Sequence, residues 1–86
     1  AGYYTVKEVF DGGDMAKAEK AAFDYIDRAT PHAGWLARAY LLLGDIYAAR
    51  GEAFQARATW QSVADGYSPA DDGIVDEARR RIAGLN

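Results

Sequence analysis

Between Leu41 and Trp60 the chain reads LLLGDIYAARGEAFQARATW, and small and large residues recur there at fixed separations. Gly44 and Ala56 carry almost no side chain, so two helices bearing them can approach closely. Tyr40, Tyr47 and Trp60 supply the bulk that fills the wedges above and below such a contact. Gly51 lies between the two segments and frees the backbone where the chain must turn back. Small beside large at this spacing specifies a helical hairpin. On this reading Gly44→Leu or Ala56→Leu overpacks the contact and costs about 1–3 kcal/mol. Gly44→Ala is expected to be milder, because a helix-propensity gain of up to about 1 kcal/mol offsets the crowding.

The rest of the chain is predicted to be helical as well. β-Branched residues are scarce, alanine is abundant, and apolar residues recur at three and four. A first helix runs over Tyr3–Phe10, with Tyr3, Val6, Val9 and Phe10 apolar. The run DGGD, Asp11–Asp14, ends it, and Asp14 is placed to cap the next helix. That second helix covers Met15–Ala29, with Met15, Ala18, Ala22, Tyr25, Ile26 and Ala29 on one face. Thr30 and Pro31 then give an N-cap and a first-turn proline for a third helix ending near Arg50. Leu36, Ala39, Tyr40, Leu43 and Tyr47 line one side of this third helix, while Leu41 and Leu42 point elsewhere. A helix apolar on more than one side needs cover on more than one side. A fourth helix spans Glu52–Asp65, with Phe54, Ala56, Ala58, Trp60 and Val63 apolar and Gly66 at its end. Ser68 and Pro69 open a fifth, which reaches Ala83 and carries Ile74, Ala78, Ile82 and Leu85 on one stripe.

Tyr40, Leu43, Gly44, Tyr47, Ala56 and Trp60 reproduce the spacing of the tetratricopeptide repeat. The segment 37–70 therefore resembles one such repeat, with Tyr40 where tryptophan is common and Pro69 one place later than the pattern expects. A degenerate copy over 1–32 lacks the Leu-Gly pair, and 71–86 would form a capping helix. The resemblance implies an all-α fold in one domain over 1–86. Its architecture would be a right-handed α-solenoid of antiparallel hairpins, about five helices in two repeats plus the cap. The stretch FDYIDRATPHAGWLARAYLLLGDIY is also similar to the C-terminal repeats of large bacterial cell-envelope proteins of this family. That likeness favours a periplasmic or envelope setting and a chain that is a fragment of a longer protein.

Composition narrows the work such a chain can do. There is no cysteine, which removes disulfides, thiolate metal sites and a cysteine nucleophile. The net charge is −3 with acids and bases interspersed, which argues against a general nucleic-acid binder. No apolar run approaches the roughly 20 residues of a membrane span. Ser62 and Ser68 have no local acid–base companion, and no nucleophile-elbow motif is present. His32, the single histidine, reads as a packing residue, with a metal or catalytic role as the sharper alternative. Asp71, Asp72, Asp76 and Glu77 precede Arg79, Arg80 and Arg81 on the last helix. This order complements the helix dipole and permits the pairs Asp76–Arg80 and Glu77–Arg81; a metal site at the acids or an anion site at the arginines is the alternative.

The expectation is thus a protein with no enzymatic activity, cofactor or metal. The family resemblance implies a concave groove on the first helix of each hairpin, here Arg38, Leu41, Leu42, Asp45 and Ala49 with Tyr3, Tyr4 and Lys7. The basic residues with which family members clamp acidic chaperone tails are replaced at these places by Leu41, Leu42, Asp45 and Ala49. Leu41 and Leu42 are expected to be exposed and to receive a peptide or helix. A structural role as the terminal segment of a longer solenoid, covered by its own repeats or by a second copy in a homodimer, is the alternative.

Overall fold

Five helices form in the computed structural model, which describes residues 3–28, 33–66 and 73–85, the first three residues of the third helix as backbone only. They are α1 (Tyr3–Asp11), α2 (Met15–Asp27), α3 (Ala33–Ala49), α4 (Ala53–Gly66) and α5 (Ile74–Ala83), and no strand occurs among the described residues. The helix boundaries have local causes. Gly13, at φ 88°, turns the chain after α1. Asp14 then caps α2, its carboxylate accepting the Lys17 N–H at 3.1 Å. Asp14→Ala is expected to lower stability by about 1 kcal/mol, read as a shifted urea midpoint with an unchanged slope.

The turn from α3 to α4 is closed at Gly51, where φ is 79°. The Gly51 N–H donates to the Ala48 carbonyl at 3.0 Å and the Glu52 N–H donates to the Tyr47 carbonyl at 2.9 Å. This pair of bonds around a left-handed glycine is the Schellman motif, which satisfies the last carbonyls of a helix. Arg50 reinforces it from outside, bridging Glu19 of α2 at 2.8 Å and Glu52 at 3.5 Å.

α3 is the hub. It touches all four other helices, whereas α2 and α4 make no contact with each other among the described residues. Two separate cores result, one on each side of it. Leu42, Leu43 and Ile46 pack with Val6 of α1 and Ala18 and Ala22 of α2. Ala37 and Leu41 pack with Ala56, Trp60 and Val63 of α4 and with Ile74 and Ala78 of α5. Half-buried Tyr40 and Tyr47 border both cores and so join them. The short dimension of the molecule is 17 Å. Two layers of helices, axes about 8–10 Å apart with Cα radii of about 2.3 Å, would span about 13–15 Å of it.

Trp60 packs closely against α3. Its indole is 3 % exposed and its Nε1 donates to the Leu41 carbonyl at 3.0 Å. The ring lies directly over Gly44, where a methyl group would come within 2.5 Å of Cδ1 and 2.6 Å of Cε2, and nearer still to Nε1. The hairpin contact is therefore glycine against tryptophan.

Several sequence expectations need correction. Leu41 and Leu42 are 6 % and 4 % exposed, each in its own core, so they do not form an apolar surface patch. They are about 100° apart on a helix that has core on both sides, and successive residues can then both be buried. Phe54, read as part of the apolar set of α4, is 83 % exposed, and Ala58 is exposed too. α5 starts at Ile74 after Gly73, whose φ of 81° interrupts any helix entering from Pro69. Its apolar stripe does include Ile74, Ala78, Ile82 and Leu85, with Val75 also buried. Ala29, Thr30, Pro31, His32, Ser68, Pro69, Asp71 and Asp72 lie outside the described residues.

Candidate functional site

The N-terminal end of α1, the middle of α3 and the first two turns of α5 meet at one side of the hub. Contacts of α3 with both α1 and α5 set this arrangement. Tyr3, Arg38, Leu41, Gly73, Ile74, Glu77, Arg80 and Arg81 enclose an open groove of about 400 Å³. Leu41 and Ile74, both nearly buried, lie at its base, and most of the lining comes from the charged side chains and Tyr3.

One wall is fixed by an ion-pair network. The Arg81 guanidinium forks onto Asp45 of α3, Nε to Oδ1 at 2.9 Å and Nη2 to Oδ2 at 3.2 Å. Its Nη1 also donates to Glu77 one turn back. Side chains of Arg81 and Asp45 are about three-quarters shielded, at 27 % and 26 % exposure, so this fork ties α5 to α3 more firmly than a surface pair would. Burial alone works against the Arg81 charge. The Asp45 hydrogen bonds, its field and Glu77 outweigh that and hold the guanidinium protonated beyond its ordinary range.

Glu77 serves two arginines, since Arg80 turns to it rather than to Asp76. The Arg80 hydrogen bond is the largest influence on its carboxyl; burial opposes it, and the fields of Arg81 and Arg80 with the Arg81 hydrogen bond add to it, so the carboxyl is held below the ordinary 4.5. A depressed folded-state value contributes stability above the unfolded value and loses it as pH falls through the folded one. Wild-type stability is therefore expected to drop below about pH 4.5, and Glu77→Gln should flatten part of that acid limb. Urea midpoints of both proteins between about pH 6 and about pH 3 check this.

Tyr3 closes the α1 side. Burial raises its hydroxyl above the usual value, with Arg81 opposing and Asp45 adding to the rise, so it stays a neutral donor in the physiological range. Its ring meets that of Tyr4 edge-to-face with centroids 5.5 Å apart, and Tyr4 is exposed.

The sequence candidates divide accordingly. Tyr3, Arg38 and Leu41 line the groove, and Asp45 stands behind it as the anchor of Arg81. Leu42 faces the other core. Ala49 is exposed at the far end of α3, and Lys7 is exposed on α1 beside Asp11 at 3.9 Å. α5 contributes Ile74, Glu77, Arg80 and Arg81, which the repeat pattern does not assign to the groove; the Arg79–Arg81 run is the signal in the sequence.

The Ser62 hydroxyl donates to the Thr59 carbonyl of its own helix at 2.7 Å. Among the described residues no three His, Asp or Glu side chains converge on a metal-sized site, and no helix is long and apolar enough to cross a membrane. No family model matches the chain, and neither a curated protein nor a solved structure is similar to it.

Proposed function

We propose that this chain is a non-catalytic protein-interaction module of tetratricopeptide type, which receives a peptide segment in the groove between α1, α3 and α5. One observation carries the reading: Arg38, Glu77, Arg80 and Arg81 converge from two helices on a concavity that Tyr3 of a third helix closes, with Leu41 and Ile74 at its base. Concavities of that make-up are where side chains of a ligand find both burial and orientation. In a helical solenoid the first helix of each hairpin lines the concave face. On this reading α1 and α3 are the first helices of two right-handed hairpins and α5 is the cap; α3 touches both α1 and α5, which is consistent with it. The spacing of Tyr40, Leu43, Gly44, Tyr47, Ala56 and Trp60 supports the same assignment.

Panning a displayed random-peptide library on the chain tests the reading. Enriched peptides should bind wild-type protein and lose binding to Arg80→Glu, while Phe54→Ala, on α4 and outside the groove, binds as wild type. Peptides that ignore Arg80→Glu and depend on Phe54 would move the interaction to the opposite layer. Concentration-dependent dimerisation with no peptide enriched would favour self-association.

A further inference from the structure

We infer that the exposed face of α2 pairs with the same face of a second copy of the chain, the two helices running antiparallel. Ala16, Lys17, Lys20, Phe23, Asp24 and Asp27 are all exposed and, at about 100° per residue, share one stripe of about 120°. Ala18 and Ala22 bury the opposite side of the helix.

The charges on this stripe are symmetric about one level of the helix. Lys17 and Asp27 each lie five residues from Ala22, and Lys20 and Asp24 each lie two. A two-fold axis at the level of Ala22 therefore sets Lys20 opposite Asp24 and Lys17 opposite Asp27, each pair occurring twice. Phe23, 42 % exposed, lies next to that axis. Its two copies are about 3 Å apart along the helices, close enough for the rings to meet.

Within a single chain the same order is unfavourable. Between its caps, Asp14 and Arg28, α2 has no acid in its first turn and no base in its last. Bases come first and acids last, against the helix dipole. Lys20 four places before Asp24 is also the poorer orientation for a pair inside one helix. No ion pair among the described residues includes Lys17, Lys20, Asp24 or Asp27. α5 has the opposite arrangement, with Asp76 and Glu77 in its first turn and Arg80 and Arg81 in its last. An antiparallel neighbour turns the charge order of α2 into four cross-helix pairs of opposite sign. None of the described lining residues of the groove comes from α2, so either role can hold without the other.

One 13-residue helix against another makes a small interface, below about 1,200 Å², and such contacts are weak. A dissociation constant on the order of 0.1 mM is expected, with weaker association as salt rises. Sedimentation equilibrium from about 10 μM to about 1 mM provides the test, the wild-type mass rising from one chain toward two. Lys20→Glu or Asp24→Lys each sets like charges opposite each other twice and should weaken association about tenfold or more. Melting temperatures at low concentration should be no lower than that of wild type. An equal mixture of the two variants should associate again, and so should the chain carrying both substitutions, since every opposed pair then has opposite signs. Arg57→Glu, on the exposed face of α4, should associate as wild type. A wild-type chain still monomeric at about 1 mM overturns the inference. Association that survives both single substitutions places the contact on another face and overturns it too, as does a mixture in which association is not restored.

Discussion

Leu41→Glu combined with Leu42→Glu is expected to abolish the cooperative unfolding transition. Each substitution removes a leucine from a different core and puts a carboxylate among apolar side chains. Ionised and buried, such a group costs several kcal/mol, and protonating it at neutral pH is costly as well. A chain of 86 residues has about 4–13 kcal/mol of stability in total, so two such insertions on opposite sides of the hub consume it. Leu41→Met, which nearly conserves volume, should cost less than about 1.5 kcal/mol and shows whether charge or mere substitution is responsible. Near-ultraviolet circular dichroism and thermal melts read the outcome. A double variant that melts like wild type would return both leucines to the surface.

Gly44→Ala is the second large effect, and its sign separates the structure from helix propensity. Propensity alone predicts a gain of up to about 1 kcal/mol. The structure puts the new methyl inside the Trp60 ring, with Cδ1 and Cε2 at 2.5 and 2.6 Å. Trp60 has little room to retreat, because its indole is buried and its Nε1 is held by the Leu41 carbonyl. Overpacking of about 1–3 kcal/mol and the strained or lost buried hydrogen bond, about 1–3 kcal/mol, less the propensity gain of about 1 kcal/mol, combine to a net loss of about 1–5 kcal/mol. Gly44→Ala should also be strongly non-additive with Trp60→Leu, because the smaller side chain relieves the clash. A neutral or stabilising Gly44→Ala would show that the indole does not cover Gly44.

Local features of the fold were legible because short-range chemistry sets them. Gly51 at the hairpin turn, Asp14 at the α2 N-cap, Ala18 and Ala22 on the buried face and the Ile74–Ala78–Ile82 stripe each follow from residues a few places apart. The two-sided apolarity of α3 was legible too, but not what covers its second side. Periodicity marks Leu41 and Leu42 as lying off the main stripe; a second core and an exposed groove give the same pattern. The candidate site was half legible. Tyr3, Arg38 and Leu41 were expected at a groove only through the family resemblance, whereas the α5 wall depends on Asp45 meeting Arg81 across 36 positions, and no local spacing encodes such a pairing. Phe54 shows the converse limit: an apolar residue at helical spacing is buried only if a neighbouring element reaches it, and none does.

Titration of the ¹⁵N-labelled chain with a library-selected peptide, followed by amide and arginine side-chain resonances, tests the groove most directly. Shifts concentrated on Tyr3, Arg38, Ile74, Arg80 and Arg81, with α2 and the outer face of α4 unmoved, are the predicted result. Shifts centred on Phe23 and Phe54, or no shifts at saturating peptide, would contradict it.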